Sequence, residues 1–199
     1  MQIAVLGAGN MGGALSRLWS DAGHRVQTST RAGKPTPAEA AARAEVIVLC
    51  VPGTSSEEAL AACGDVTGKV VIDCTNPLTP SLDGLLYGGT TSTAERLQSA
   101  HPGARVVKAF NSAGARLLGL DQVEGQTIDG FFCGDDAEAK RIVEKLVTAT
   151  RLRPVDVGPL RNARYLEAMA MLWIDLAVNQ QRGWAFTFNL VSHEKDGFV

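Results

Sequence analysis

Little in this chain is strongly basic, aromatic or suited to hold a metal. Three histidines and four cysteines in 199 residues are few ligands, and Cys50, Cys63, Cys74 and Cys133 form no C-x-x-C pair, so neither a metal site nor a disulfide framework is expected. Cys50, Cys74 and Cys133 lie in or beside apolar runs, where cysteine acts as a small hydrophobe. Lys and Arg number 19 against 21 Asp and Glu, a net charge of -2 that provides no long-range field to draw nucleic acid. The longest apolar run, AMAMLWI at 168–174, falls far short of the roughly 20 residues of a membrane span. With no basic leader or signal core before the first strand, a cytoplasmic protein without membrane or nucleic-acid partners is expected. Hydrolase and metal-dependent chemistry lack support too, because Gly-x-Ser-x-Gly, H-E-x-x-H and paired carboxylates at strand ends are missing. His24 beside Gly23, His101 beside Pro102 and His193 in a polar tail read as structural or solvated.

What is present is alternation. At 45% hydrophobic the chain has apolar residues for one buried core but not the length for two full-sized domains, so a single domain over 1–199 is expected. The runs QIAVL (2–6), RVQTST (25–30), EVIVLCV (45–51), KVVIDC (69–74) and ARVVKAF (104–110) read as strands. Helical patterns separate them at about 10–21, in EAAARA, at 56–63 and at 93–100. Repeated βα units predict an α/β fold, a doubly wound and mostly parallel Rossmann sheet. Beyond it, GFFCG (130–134) and RPVDVG (153–158) read as further strands of that sheet, flanking a helix at 135–150 in which Asp135 and Asp136 act as caps. A long C-terminal helix is predicted from Asn162 to about Trp184, within a helical segment at about 160–190. Its stripe Leu166, Met169, Ala170, Trp173, Leu176 and Ala177 reads as core or dimer face.

The stretch GAGNMG (7–12) lies between the first strand and the first helix. In that context Gly7 permits the sharp turn, Gly9 clears space for a pyrophosphate, and Gly12 allows close helix–strand packing, while helix N–H groups meet the negative charge. A fold that prefers NAD usually ends its second strand with an acid. Here that strand ends TSTR: Thr28, Ser29 and Thr30 supply hydroxyls, Arg31 supplies a planar fork, and Lys34 adds a cation. NADP(H) is the expected cofactor. At the carboxyl ends of the later strands stand CVPG (50–53), CTNP (74–77) and KAFNSAG (108–114), rich in amides and small side chains and poor in ionisable groups. Such a site positions ligands and supplies no titrating catalyst, which suits hydride transfer between two ring systems better than ketone reduction with its proton donor. No catalytic residue is assigned, and Lys108 is the one strand-end cation near the loop.

The segments IAVLGAGNMGGAL, STR, VIVLCVP, KVVIDCTNP, VVKAFNSAGA, FFCGDDAEAK and RPVDVGPLRNARYLE together resemble the F420-dependent NADP oxidoreductase family, itself similar to the cytosolic reductase domain of the STEAP metalloreductases. The resemblance covers nearly the whole chain. It implies an oxidoreductase, often dimeric, that passes hydride between NADP(H) and a deazaflavin or flavin, so that F420, FMN or FAD is the second cofactor or acceptor. It also implies that Ala8, Gly9, Asn10 and Met11 hold the pyrophosphate and that Thr30 with Arg31 holds the 2′-phosphate. Val51, Pro52 and Asn76 would border the cofactor, and Phe110, Asn111, Ser112 and Ala113 would lie near the nicotinamide. The chain departs from the archaeal F420 enzymes at Gly53, where they carry a bulky aromatic, and in AFNSAG, where they carry a histidine-containing sequence. Two other classes share parts of the pattern: an NADPH-dependent reductase of a small carbonyl or imine, and a non-catalytic NADP(H)-binding sensor.

Overall fold

In a computed structural model, which describes residues 1–191, seven strands form one sheet. In chain order the elements are β1 (Gln2–Leu6), α1 (Asn10–Asp21), β2 (Arg25–Ser29), α2 (Pro37–Ala42), β3 (Val46–Leu49), α3 (Ser56–Ala61), β4 (Val70–Asp73), α4 (Thr93–Ala100) and β5 (Arg105–Ala109). A short hairpin, β6 (Gln122–Val123) and β7 (Gln126–Thr127), precedes β8 (Asp129–Gly134), α5 (Ala137–Thr148), β9 (Arg153–Asp156) and α6 (Ala163–Val178). The sheet order is β2-β1-β3-β4-β5-β8-β9, so the chain reverses direction across the sheet between β1 and β3. The carboxyl edge at such a reversal opens the crevice where doubly wound sheets take their ligands.

Every residue of β3 and β4 is buried, because helices cover both sheet faces and strand residues alternate between them. Ile3, Val5, Val48 and Ile72 pack with Leu15 and Trp19 of α1 and Val143 and Leu146 of α5. The intervening residues, Ala4, Leu6, Ile47, Leu49 and Val71, pack with Leu60 of α3, Leu97 of α4 and Leu166 of α6. Trp19 joins distant parts of the first layer: its indole N–H donates to the Leu146 carbonyl at 2.9 Å.

Local signals set the helix ends. Gly23 (φ +84) stops α1, and its N–H bonds the Ser20 carbonyl. Thr36 and Glu39 form a capping box on α2. Asp136 caps α5 by accepting from the Ala139 N–H at 2.7 Å, as the sequence predicts. Asp135 instead accepts from the Leu160 N–H at 2.8 Å, so it anchors a loop and is no cap.

One strand's sense goes beyond the expectation of a mostly parallel sheet, and one helix end differs from the sequence reading. Strand β8 runs antiparallel to β5, with β9 parallel to β8. Residues 110–128 supply only a short 3-10 turn and the hairpin, with no crossover helix to bring the chain back in parallel. Helix α6 ends at Val178, well before Trp184. The N–H groups of Arg182 and Gly183 turn back to the Leu176 and Ala177 carbonyls, with Gln181 and Gly183 at positive φ, a closure that terminates the helix and reverses the chain. His193 lies outside the described residues. No helix among them is long and apolar enough to cross a membrane.

Candidate functional site

The glycine turn is a backbone construction. A Cβ on Gly7, which sits at φ +109, would lie 2.3 Å from the Cys50 carbonyl oxygen, and one on Gly12 would lie 2.0 Å from that of Gly7. Strand β1, helix α1 and the end of β3 thus meet main chain to main chain. Gly9 is the opposite case: a Cβ there meets nothing within 4 Å. Gly9 also N-caps α1 without any side-chain hydrogen bond, so the first helical N–H groups face the cleft with no partner from a cap. Open space above unpaired N–H groups suits a diphosphate. The cleft, about 570 Å³, is lined by Gly7, Ala8, Gly9, Thr30, Arg31, Val51 and Pro52, seven of the residues singled out from the sequence. Met11 packs partly buried against the core, so only its main chain is available to the turn.

At one end of the cleft the second strand delivers less than its sequence offers. The Thr28 hydroxyl is engaged with that of Ser16 at 3.0 Å, and Ser29 donates to the Pro35 carbonyl at 2.7 Å. Thr30 and Arg31 line the cleft. Nη2 of Arg31 donates to both carboxylate oxygens of Glu58, at 2.6 and 2.5 Å. Lys34 turns to Glu39 at 3.3 Å and does not line the cleft. Glu58, which also lines the cleft, carries no sequence signal, because acids in the first turn of a helix are ordinary.

Toward the other end, the loops after β4 and β5 are tied together. Asn76 Nδ2 donates to the Asn111 carbonyl at 3.0 Å, and Asn111 Nδ2 donates to Asn76 Oδ1 at 2.9 Å and to the Leu166 carbonyl at 3.0 Å. The Asn111 Oδ1 atom is buried and has no partner among the described residues. Ser112 and Ala113 are buried beside it in sequence. Phe110 holds φ +62 and inserts its ring into the core edge-on to Trp19, with centroids 5.7 Å apart, so the ring supports the site and does not line it. Gly53 has a structural reason as well: a Cβ there would lie 2.1 Å from the Asn76 carbonyl oxygen. A second cavity of about 460 Å³ opens between Asn10, Gly114, Ala115, Arg116, Trp173 and Trp184. The two indoles stand 5.3 Å apart.

Behind these loops lies a charged cluster that sequence reasoning missed. Lys108 is fully buried, and its ammonium donates to Asp73 Oδ2 at 2.9 Å, Glu167 Oε1 at 2.7 Å and the Thr75 carbonyl at 2.6 Å. Burial alone would lower the Lys108 pKa, but the two carboxylates outweigh it and hold the group above its ordinary value. Burial pushes Glu167 up despite the ammonium. Glu167 Oε1 also accepts from the Thr93 N–H at 2.9 Å. The cluster therefore fastens α6 to β4, β5 and the start of α4, and Lys108 has no free N–H to offer a substrate. One clue was visible: Asp73 and Glu167 are lone acids within apolar runs.

Comparison with known proteins bears on this geometry. The family described as NADP oxidoreductase, coenzyme F420-dependent, matches residues 2–77. The F420-dependent NADP reductase of Methanothermobacter marburgensis is 31% identical over 154 residues, 73% of this chain and 68% of the relative. Metalloreductase STEAP3 of Rattus norvegicus is 29% identical over 182 residues, 85% of this chain, and the chain spans only 36% of that protein's length. A crystal structure of a candidate F420-dependent NADP reductase from Arthrobacter sp. FB24 superposes with a TM-score of 0.88 at 30% identity, covering 96% of this chain and all of the other.

The buried cluster makes a measurable prediction. Lys108→Met leaves two carboxylates without their cation and should cost about 3–5 kcal/mol of stability near neutral pH. A carboxyl whose folded pKa is raised favours the fold only while protonated, so the loss should be largest at pH 8 and shrink as Glu167 takes up a proton toward pH 5. Urea unfolding of both proteins at the two pH values checks the sign.

Proposed function

The chain belongs to the coenzyme F420-dependent NADP oxidoreductase family, and on that premise we propose that it transfers hydride between NADP(H) in the glycine-turn cleft and an F420-type deazaflavin in the tryptophan-lined cavity. The observation that carries the proposal is that neighbouring residues line the two cavities, Gly9 the first and Asn10 the second. A nicotinamide reaching past Gly9 and Asn10 would meet a ring held in the second cavity at stacking range.

Each part of the chain then has a task. The main-chain N–H groups at the start of α1 hold the pyrophosphate over Gly7, Ala8 and Gly9. Thr30 and Arg31 would hold the 2′-phosphate, and Val51 and Pro52 would form the wall along the cofactor, while Lys34, paired with Glu39, takes no part. Asn76 fixes Asn111, whose Oδ1, buried and without a partner among the described residues, would be the acceptor for a carboxamide N–H. Ser112 and Ala113, next to Asn111 in sequence, would lie near the nicotinamide. Trp173 and Trp184 would offer the acceptor ring apolar indole surface, and Arg116 is the cation at hand for an anionic tail. The nicotinamide and the deazaflavin supply the redox chemistry, and the chain contributes proximity and a dry cleft without a proton donor of its own. The setting is the cytoplasm, whose reducing conditions suit the free Cys50, Cys63, Cys74 and Cys133. A homodimer would cover Tyr165 and Leu172, exposed large hydrophobics on the outer face of α6.

Mixing the protein with NADPH and, separately, F420, FMN, FAD and a small ketone tests the acceptor: rapid NADPH oxidation with F420 is expected, whereas turnover only with the ketone refutes the assignment. Sedimentation velocity should give twice the chain mass. Arg31→Asp replaces a charge-assisted contact by repulsion and should weaken NADPH binding by roughly 2 kcal/mol or more, with NADH unchanged or improved. Equal losses for both cofactors in a fluorescence titration would contradict the 2′-phosphate assignment.

A further inference from the structure

Arg31 and Glu58 stand on opposite walls of the cleft, one just past β2 and the other in the first turn of α3. All of Arg31's hydrogen bonding among the described residues goes to this carboxylate, through Nη2 alone, at 2.6 and 2.5 Å. The relation is mutual, for the Glu58 carboxylate has no other hydrogen-bond partner among them. Its neighbours are committed differently. Glu57 pairs with Arg96 at 2.6 Å, tying α3 to α4. Glu39, the partner of Lys34, also accepts from the Thr36 N–H at 2.7 Å and hydroxyl at 2.9 Å, so it serves the cap of α2. The Glu58 carboxylate thus has no hydrogen bond to lose except the one to Arg31.

We propose that Glu58 tunes cofactor affinity and specificity: its carboxylate engages Arg31 as an internal stand-in for the 2′-phosphate and must yield when NADP(H) binds. The inference rests on the assignment of Arg31 to that phosphate. Arg31 and Glu58 together carry no net charge, so an incoming dianion meets a cation that is already neutralised. To take the Nη2 N–H groups it must displace the carboxylate. Both side chains are mostly solvent-exposed, at 79% and 68%, which makes the pair weak and therefore exchangeable. The same exposure limits the effect, because water and salt screen charges at the cleft mouth. NAD(H), which carries only hydroxyls at that ribose, gives Glu58 no anion to compete with, so the acid narrows the preference for the phosphorylated cofactor.

The test is calorimetric titration of the purified chain with NADP+, NAD+ and 2′,5′-ADP. Glu58→Gln keeps the size of the side chain and removes its charge. It should lower the Kd for NADP+ and 2′,5′-ADP by about three- to tenfold, with NAD+ changed less than about twofold. In an Arg31→Ala background the same substitution should change NADP+ binding by less than about twofold, since no cation remains to contest. If Glu58→Gln weakens NADP+ binding, the carboxylate braces Arg31 for its ligand and the proposal is overturned. Unchanged NADP+ affinity, or an equal gain for NAD+, overturns it as well. Failure of the underlying assignment looks different: Arg31→Ala alone would then leave 2′,5′-ADP binding intact.

Discussion

Three glycines let the strand ends approach closer than any side chain allows. A Cβ would come within 2.3 Å of the Cys50 carbonyl oxygen at Gly7, 2.0 Å of the Gly7 carbonyl oxygen at Gly12 and 2.1 Å of the Asn76 carbonyl oxygen at Gly53. Such distances are forbidden to real Cβ atoms, so the whole carboxyl edge from β1 through β3 to β4 depends on these positions lacking one. That contact brings the α1 N-terminus, the Val51-Pro52 wall and the Asn76–Asn111 pair to the same edge. Gly9 works by the opposite means, since the space its side chain would fill is left open for a ligand. Loss of the first kind of glycine would disturb the sheet edge, and loss of the last would disturb only what approaches it.

The second constraint is the buried ammonium of Lys108. A charge this deep is tolerable only when every N–H finds a partner, and here two carboxylates and a carbonyl supply them. Asp73 and Glu167 lie 35 and 59 residues from Lys108 in sequence. Through Glu167 and the Leu166 carbonyl, α6 is held against the loops that carry Asn76 and Asn111. The helix is thereby part of the site's scaffold, although few of its own side chains reach the cleft.

How much was legible in the sequence follows from the range of the interactions. The glycine turn, the first helix and the all-apolar strands are local patterns, and the observed β1, α1 and α4 have the predicted bounds. The sense of β8 was not legible, because it depends on whether residues 110–128 make a crossover, and that stretch carries no periodicity. The C-terminal helix was read too long for a related reason: Trp184 continues an apolar pattern but packs back on Trp173. Of the hydroxyls in TST, only tertiary partners decide which stay available, and Ser16 and Pro35 take two of them. Glu58 was invisible as a site residue, since an exposed carboxylate's role is set by the cation opposite, not by its neighbours in the chain, whereas Glu167 showed only as a lone acid in an apolar run.

The Trp173 indole N–H donates to the Phe186 carbonyl at 2.8 Å, and its ring packs against Trp184 and Phe186, each 5.3 Å away. One wall of the second cavity is therefore the returning strand of chain beyond α6, a stretch without helix or sheet bonds of its own. Its place is fixed by ring packing, the Trp173 bond and, further on, the Asn189 amide on the Thr127 carbonyl at 2.6 Å, the Leu190 N–H on Asp129 at 2.6 Å and the Arg153 guanidinium on the Leu190 carbonyl at 2.7 Å. Rings can slide over one another where a hydrogen-bond ladder cannot. The width between the indoles and Asn10 is accordingly set by side-chain packing, whereas the spacing above Gly9 is set by main-chain contact.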